Sequence, residues 1–494
     1  MIASTIPVFM PAWPEILIAV VSCGLLIAGL ISNKQIFRWS LYCTNAVLLV
    51  IPFLLWLQPK ITQFTFNGLF INDPFTISIK SLILLSGAFV LILTRYSLVS
   101  EGLNVVEYPV LFLWSILGMM IMISAHDLLV MFVGIELQSL SLYILVAMRR
   151  KNTLSSEAAL KYFILGALST GILLYGCSLV YGFTGTTHFE ALERFFLNMP
   201  HLDGRILGPF CGIIFIVAAL AFKISAAPFH MWAPDIYQGS PTLVTAFLAT
   251  VPKVAGIALL MRVLITPFGG LVSLWYWMLM GLAILSMTWG AIAALTQQKI
   301  KRLIAYSSIG HIGFVLIGVT VASESGLKAA FIYLIFYILM TIGFFGGLLY
   351  IEQKNKEEVQ LLSDLNGIGR YYPGVAFLMG FMVFSMAGIP PLPGFIPKIF
   401  VLRAAINQNA YFLAVSGVIY SVVACAYYLL IVKALFIDKP SKTIIMSSGH
   451  RKIYFPLALV LFGIIFLLVC LLVHPDFLFQ WARDAANSLV YDIE

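Results

Sequence analysis

The chain has 494 residues, 61% of them hydrophobic and 10% charged, with a formal net charge of +8 and a mean hydropathy of +1.01. This balance excludes an ordinary soluble domain and marks an integral membrane protein. The positive charge does not indicate a nucleic-acid partner, because the basic residues gather in the loops of one side instead of forming a patch.

Apolar stretches of roughly 17 to 25 residues recur with short polar interruptions, the length needed to cross a hydrocarbon core as helix. Barrel strands would be shorter and alternating. About fourteen spans are predicted, at 14–31, 41–57, 76–94, 106–124, 127–147, 157–182, 207–228, 240–265, 271–295, 303–322, 327–350, 374–400, 411–435 and 454–473. Neither a basic n-region nor a small-residue cleavage motif precedes the first span, so it is expected to persist in the mature protein. Assigning loops alternately puts Lys34, Arg38, Arg95, Arg149, Arg150, Lys151, Lys299, Lys301, Arg302, Lys354, Lys356, Arg370, Lys439, Lys442, Arg451 and Lys452 on one side. Lys60, Arg194, Arg205, Arg403 and Arg483 fall on the other, which would also carry both termini.

Within "MFVGIELQSLSLYILVAMRR" (131–150), Glu136 is the one acidic residue near the middle of a span. A charge there costs several kcal/mol unless it is paired, hydrated or neutralised, and such residues mark ion or proton pathways. Lys223, Lys253 and Lys398 also lie inside apolar spans, and Lys161 lies about one turn into its own. Desolvation disfavours the charged lysine and a nearby carboxylate favours it, so a Lys/Glu set can exchange protons near neutral pH. His311, at a span midpoint, and His230, after Pro228, are further relay candidates. Lys80, Lys328, Arg262 and Lys433 stand near span ends and read as side chains snorkelling to the interface.

Two spans carry proline breaks, Pro228 and Pro234 near Lys223, and Pro390, Pro391, Pro393 and Pro397 near Lys398. Frayed backbone at membrane depth is tolerated only inside protein or beside a watery cavity, and paired breaks in corresponding halves point to an ion site. Glu136 and Lys223 are 87 residues apart, as are His311 and Lys398. This spacing predicts an all-α polytopic protein with two five-helix repeats, each containing a Pro-broken helix, the odd helix number inverting the second repeat. The expected organisation is a three-helix segment 1–105, repeats 106–265 and 266–437, and a C-terminal helix and tail 438–494.

Six cysteines show no CxxC or His/Cys metal spacing and read as buried apolar residues. No glycine-rich phosphate loop follows a strand, so neither a metal nor a nucleotide or flavin site is expected.

The segments "ISAHDLLVMFVGIELQSLSLYILVAMRRKNTLSSEAALKYFILGALSTG", "FKISAAPFHMWAPDIYQGSPTLVTAFLATVPK", "QQKIKRLIAYSSIGHIGFVLIG" and "AGIPPLPGFIPK" resemble the antiporter-like membrane subunits of respiratory complex I, NADH:quinone oxidoreductase, especially those called subunit 2 or N. The resemblance covers roughly residues 100–435. It implies a proton-translocating subunit of the membrane arm, with the functional carboxylate at Glu136, first-half lysines at Lys161, Lys223 and Lys253, a second-half lysine at Lys398, and histidines His230 and His311. FMN, iron–sulfur clusters and quinone would sit in partner subunits, and the partners would be other membrane-arm subunits, neighbouring antiporter-like subunits among them, with phospholipids. The phrase "THFEAL" leans towards a mitochondrial inner-membrane protein over a bacterial plasma-membrane one. A subunit of a multi-subunit cation/proton antiporter, or a stand-alone secondary transporter, would be the rival assignments.

Overall fold

The structure is a computed structural model that describes residues 9–30, 34–58, 61–198, 207–355, 358–440 and 455–490. Lys60, Arg205, Lys356, Lys442, Arg451 and Lys452 therefore lie outside the described residues.

The helices are α1 (Trp13–Gly29), α2 (Lys34–Trp56), α3 (Pro74–Ser100), α4 (Glu107–Ile123), α5 (Leu128–Val146), α6 (Thr153–Thr184), α7 (Phe189–Leu197), α8 (Leu207–Lys223), α9 (Trp232–Gly239) and α10 (Thr242–Leu248). They continue as α11 (Val251–Ile265), α12 (Val272–Leu295), α13 (Ile300–Thr320), α14 (Glu324–Asn355), α15 (Ile368–Tyr371), α16 (Pro373–Ala387), α17 (Phe395–Asn407), α18 (Tyr411–Phe436), α19 (Phe455–Val473) and α20 (Asp476–Val490). A short antiparallel hairpin, β1 (Gln63–Thr65) and β2 (Phe70–Asn72), pairs Gln63 with Asn72. Its turn has positive φ at Phe66, Asn67 and Gly68, a conformation that the Asn67-Gly68 pair tolerates.

Ten helical stretches among the described residues are long and apolar enough to span a membrane, eleven if α19 and α20, bent by 84°, count as one. The expected fourteen is not reached by that measure. Three of the predicted spans are shorter apolar helices, α4, α8 and α16, with 17, 17 and 15 residues. Two of these stop early for a local reason: α8 ends at Lys223 and α16 at Ala387, where the proline-rich segments take the backbone out of helix.

Helix pairs approach closely where glycines face each other. A Cβ on Gly118 of α4 would lie 2.4 Å from the amide nitrogen of Gln138 on α5, and one on Gly290 of α12 would lie 2.5 Å from that of Gly310 on α13. Small residues let helix backbones meet where lipid offers no hydrophobic drive for association. The most enclosed elements are α14 and the α10–α11 stretch, whose apolar windows are 100% buried, and α3, at 83%, packs against α4, α10, α11 and α14. Of the N-terminal segment, α3 is thus part of the core, while α1 and α2 are mostly unburied. Of the six cysteines, Cys23, Cys43 and Cys211 are exposed on the outer surface and only Cys177 is fully buried, which corrects the reading of all six as buried. An apolar thiol side chain suits a lipid-facing surface as well as a core.

Contacts sort the loops onto two ends of the bundle. At one end Arg149 pairs with Glu101 and Glu358, and Lys299 bridges Leu361. At the other, Phe70 bridges Ala125, Asp127 bridges His188, and the Phe75 amide donates to Ser488. This matches the alternating loop assignment, with the basic loops together and the start of α3 beside the C-terminal helix.

Candidate functional site

The first candidate group forms where α8 breaks beside α5. Lys223, the last residue of α8, donates to Ser139 Oγ at 2.7 Å, and Ser139 lies one turn beyond Glu136 on the same face of α5. Glu136 Oε1 is buried and, among the described residues, makes no hydrogen bond. The opened backbone is satisfied by side chains instead of a following turn: Trp232 Nε1 donates to the Phe222 carbonyl at 2.8 Å, and the Ala227 amide donates to Ser286 Oγ at 2.8 Å. Such replacement partners are what allow non-helical backbone at this depth.

A second group runs across both repeats. Lys253 on α11, 1% exposed, donates to Ser308 Oγ of α13 at 2.6 Å and faces the Tyr237 ring. The adjacent Ser307 Oγ meets Tyr428 Oη at 2.5 Å, and Tyr428 Oη lies 2.9 Å from His311 Nε2. His311 Nδ1 lies 2.7 Å from Tyr333 Oη, so both ring nitrogens have hydroxyl partners. Each hydroxyl can donate and accept, and so can a neutral imidazole across its two nitrogens, so the run of Ser307, Tyr428, His311 and Tyr333 has the chemistry to pass a proton in either direction.

Lys398 completes this group from the second break. Its amine donates to the Ala387 carbonyl at 2.7 Å and Ser421 Oγ at 3.0 Å, and lies over the Phe314 ring. Ala387 is the last residue of α16, so the lysine takes up a carbonyl that the broken helix leaves unpaired. Gly388, at φ +79°, makes room: a Cβ there would lie 2.7 Å from Lys398 Cδ. Lys398, His311, Ser307, Tyr427 and Tyr428 line one cavity of about 10 Å³, at the lower bound for a single water.

Two predicted residues stay apart. Lys161 is half exposed and pairs with Glu157 at 2.7 Å and Asp235 at 3.3 Å on the outer surface. His230 is buried in the first break against Trp289, with no described link to either group. The hydroxyls that meet these lysines carry no such signal in the sequence, because Ser and Tyr are ordinary residues in membrane helices.

Snorkelling fails for two cations. Lys80 is fully buried and pairs with Glu15 at 2.7 Å. Arg262, 1% exposed, donates to both Asp73 oxygens and to Thr76 Oγ1, each at 2.8 Å. Acidic residues near the matching ends of α1 and α3 were the available signal. Beside them, His126 is buried between the Phe64 and Phe189 rings; burial, and then Arg262, push its imidazole down to about 4 against the pull of Glu190.

At the basic end, Glu101, Arg149, Lys301 and Glu358 form one cluster. Burial raises the Glu101 carboxyl above its usual range against the attraction of Arg149. Burial opposes ionisation of Glu358 too, but Lys301 and Arg149 outweigh it and hold that carboxyl low.

The sequence profile described as "NADH:quinone oxidoreductase/Mrp antiporter, TM" matches residues 125–424. NADH-quinone oxidoreductase subunit N of Parvibaculum lavamentivorans is 45% identical over 442 residues, 90% of each chain, and that of Rhodospirillum rubrum is 42% identical over 97% of each. A chain of respiratory complex I from Thermus thermophilus superposes with a TM-score of 0.78 at 31% identity, over 95% of this chain and 99% of that one. A chain of the Mrp complex from Dietzia superposes with a TM-score of 0.85 at 20% identity, a likeness of fold alone. These relatives are bacterial, and the lean towards a mitochondrial protein finds no support in them. With the profile over more than half its length and subunit N relatives along nearly all of it, the chain belongs to the NADH:quinone oxidoreductase/Mrp antiporter family, among the N subunits.

Proposed function

We infer that this multi-pass membrane protein works as a proton-translocating membrane-arm subunit of NADH:quinone oxidoreductase, and that its protons travel through the two buried groups. The observation that carries the reading is the set of polar groups between Lys253 and Lys398: Ser308 meets Lys253, and the adjacent run of Ser307, Tyr428 and His311, linked by hydrogen bonds, shares one small cavity with Lys398. Lys253 and Lys398 would hold the proton at either end, and Glu136 would set the charge balance of Lys223 across Ser139. His230 and Lys161 would act, if in the same pathway, at its margins. Redox energy would arrive from FMN, iron–sulfur clusters and quinone in partner subunits, transmitted through neighbouring antiporter-like subunits in a bacterial plasma membrane containing phospholipid.

A multi-subunit cation/proton antiporter shares this fold, but identities of 42% and 45% with N subunits along nearly the whole chain favour the oxidoreductase. The test is Glu136→Gln in the assembled complex, reconstituted in sealed vesicles, with proton translocation and quinone reduction followed together. The isosteric amide removes the charge and keeps the shape. Lowered pumping at equal assembly is expected; unchanged pumping would overturn the role of Glu136.

A further inference from the structure

We propose that protons reach Lys253 from the basic end of the bundle through the carboxyl of Glu352 and the hydroxyls of Thr242, Thr245 and Ser240. The proposal rests on Lys253 carrying protons, as argued above, and adds the route by which it is loaded.

Four of the charged groups at this end match each other. Arg149 pairs with Glu101 and Glu358 at 2.7 Å, and Lys301 pairs with Glu358 while donating to the Ser240 carbonyl at 2.8 Å. Two cations thus balance two carboxylates, and this set is one of the ties between the N-terminal segment and the rest of the chain. Glu352 is a surplus carboxyl. Among the described residues its Oε1 accepts from the Thr242 hydroxyl at 2.9 Å and from the Val359 amide at 3.1 Å, and no cation forms an ion pair with it, Lys301 acting on it only from beyond contact distance. A lock gains nothing from a further carboxylate in a cluster that is already balanced, since an unmatched buried charge costs free energy. A group that takes up and releases protons does need a carboxyl without a permanent cation.

Thr242 connects this carboxyl to what lies below. Its hydroxyl is 2.9 Å from Glu352 and 3.3 Å from Glu358 Oε1, and one hydroxyl proton cannot serve both at once, so the proton here has two alternative seats. Thr242 and Thr245 lie three residues apart on one face of α10. Thr245 Oγ1 lies 2.8 Å from Ser240 Oγ and donates towards the Tyr237 carbonyl at 3.1 Å. The Tyr237 ring is the one that Lys253 Nζ faces, 5.5 Å from its centroid. Beside this line lies a cavity of about 30 Å³ lined by Arg149, Gln238, Gly239, Lys301 and Glu358, with room for a water or two. In the step itself, the Glu352 carboxylate takes a proton from water and becomes the acid. That acid gives its proton to the Thr242 hydroxyl oxygen as that hydroxyl releases its own, Thr245 and Ser240 repeat the exchange, and water carries the proton past the Tyr237 ring to the unprotonated Lys253 amine, which becomes the ammonium and leaves Glu352 a carboxylate again.

The experiment uses the assembled complex in sealed vesicles, with initial proton translocation and quinone reduction per assembled complex measured at several pH values between about 6.5 and 8.5. The groups facing Glu352 and Thr242 are Glu358, Lys301, Arg149 and, through Arg149, Glu101, and all stay intact. Glu352→Gln and Thr242→Val should lower pumping roughly tenfold at the alkaline end and much less at the acid end, where protons are plentiful. Glu352→Asp and Thr242→Ser, which keep the carboxyl and the hydroxyl, should recover most of the rate. Normal pumping in Glu352→Gln and Thr242→Val at every pH, with Lys398→Ala defective, would overturn this route alone. A loss of assembly with unchanged rate per complex would also overturn it and leave Glu352 as a structural residue. Normal pumping in Lys398→Ala as well would remove the reading on which the route rests.

Discussion

Replacing Arg262 by Met should destabilise the subunit by about 4 kcal/mol. The guanidinium and the Asp73 carboxylate are 2% and 0% exposed, so neither charge has water to fall back on. Arg262 supplies hydrogen bonds at 2.8 Å to Asp73 Oδ1, Asp73 Oδ2 and Thr76 Oγ1, and it covers the Phe75 ring. Methionine fills much of the same volume but leaves Asp73 as an unpaired buried anion, a loss that measures about 3–5 kcal/mol in comparable sites. At about 1.4 kcal/mol per decade, this changes the folded-to-unfolded ratio by roughly a thousandfold. Asp73 also caps α3 by accepting from the Thr76 amide at 2.7 Å, a bond that an asparagine can keep. The double variant Arg262→Met, Asp73→Asn should therefore recover most of the loss, to within about 1–2 kcal/mol of the native chain. The assay is the heat-inactivation midpoint of the detergent-solubilised complex together with retention of this subunit, for the two single variants and the pair. Single variants that match wild type, or a pair as damaged as the sum of its parts, would refute the buried-lock argument and restore the snorkelling interpretation of Arg262.

Lys398→Ala should cut proton pumping, and Lys398→Arg should not restore it, because arginine keeps its proton at working pH; full activity in the arginine variant at equal assembly would reject the relay. His126 should make the subunit acid-sensitive. Its imidazole titrates near 4 when folded and near 6.5 when unfolded, so the stability of the neutral form is complete above about pH 6.5 and falls away as pH drops towards 4, by up to about 3 kcal/mol. His126→Phe, placed between two existing phenyl rings, should flatten that acid limb in thermal-stability scans, and an unaltered pH profile would contradict the assignment. For topology, a label accessible from one face should reach Glu358 and not Arg483; both reacting from the same face would break the loop arrangement.

The fold class and the buried charged residues of the candidate site were open to view in the sequence because the membrane makes their cost so plain. Repeated apolar stretches at spanning length admit only helices, and a carboxylate or lysine inside one of them demands a reason, which is why Glu136, Lys223, Lys253 and Lys398 stood out before any coordinates. The proline clusters likewise marked the two breaks, since backbone without helical hydrogen bonds must find other partners. What the linear pattern could not decide was direction and partnership. Lys80 and Arg262 look like interfacial cations when only distance from a span end is counted, yet α3 runs through the core and carries one to Glu15 and brings the other to Asp73. Lys161 has the opposite fate: its helix face turns outward, and its charge is met at the surface by Glu157 and Asp235. The hydroxyls of Ser139, Ser308 and Tyr428 carry no signal in one dimension, because a serine in a membrane helix satisfies itself on its own backbone and a tyrosine is mostly apolar ring. Only the crossing of α5 with the broken α8, and of α13 with α11 and α18, brings those hydroxyls within 3 Å of a lysine or a histidine. Insertion cost is a property of each residue and can be read from the chain; a hydrogen bond between residues on separate helices exists only once packing has fixed which faces meet.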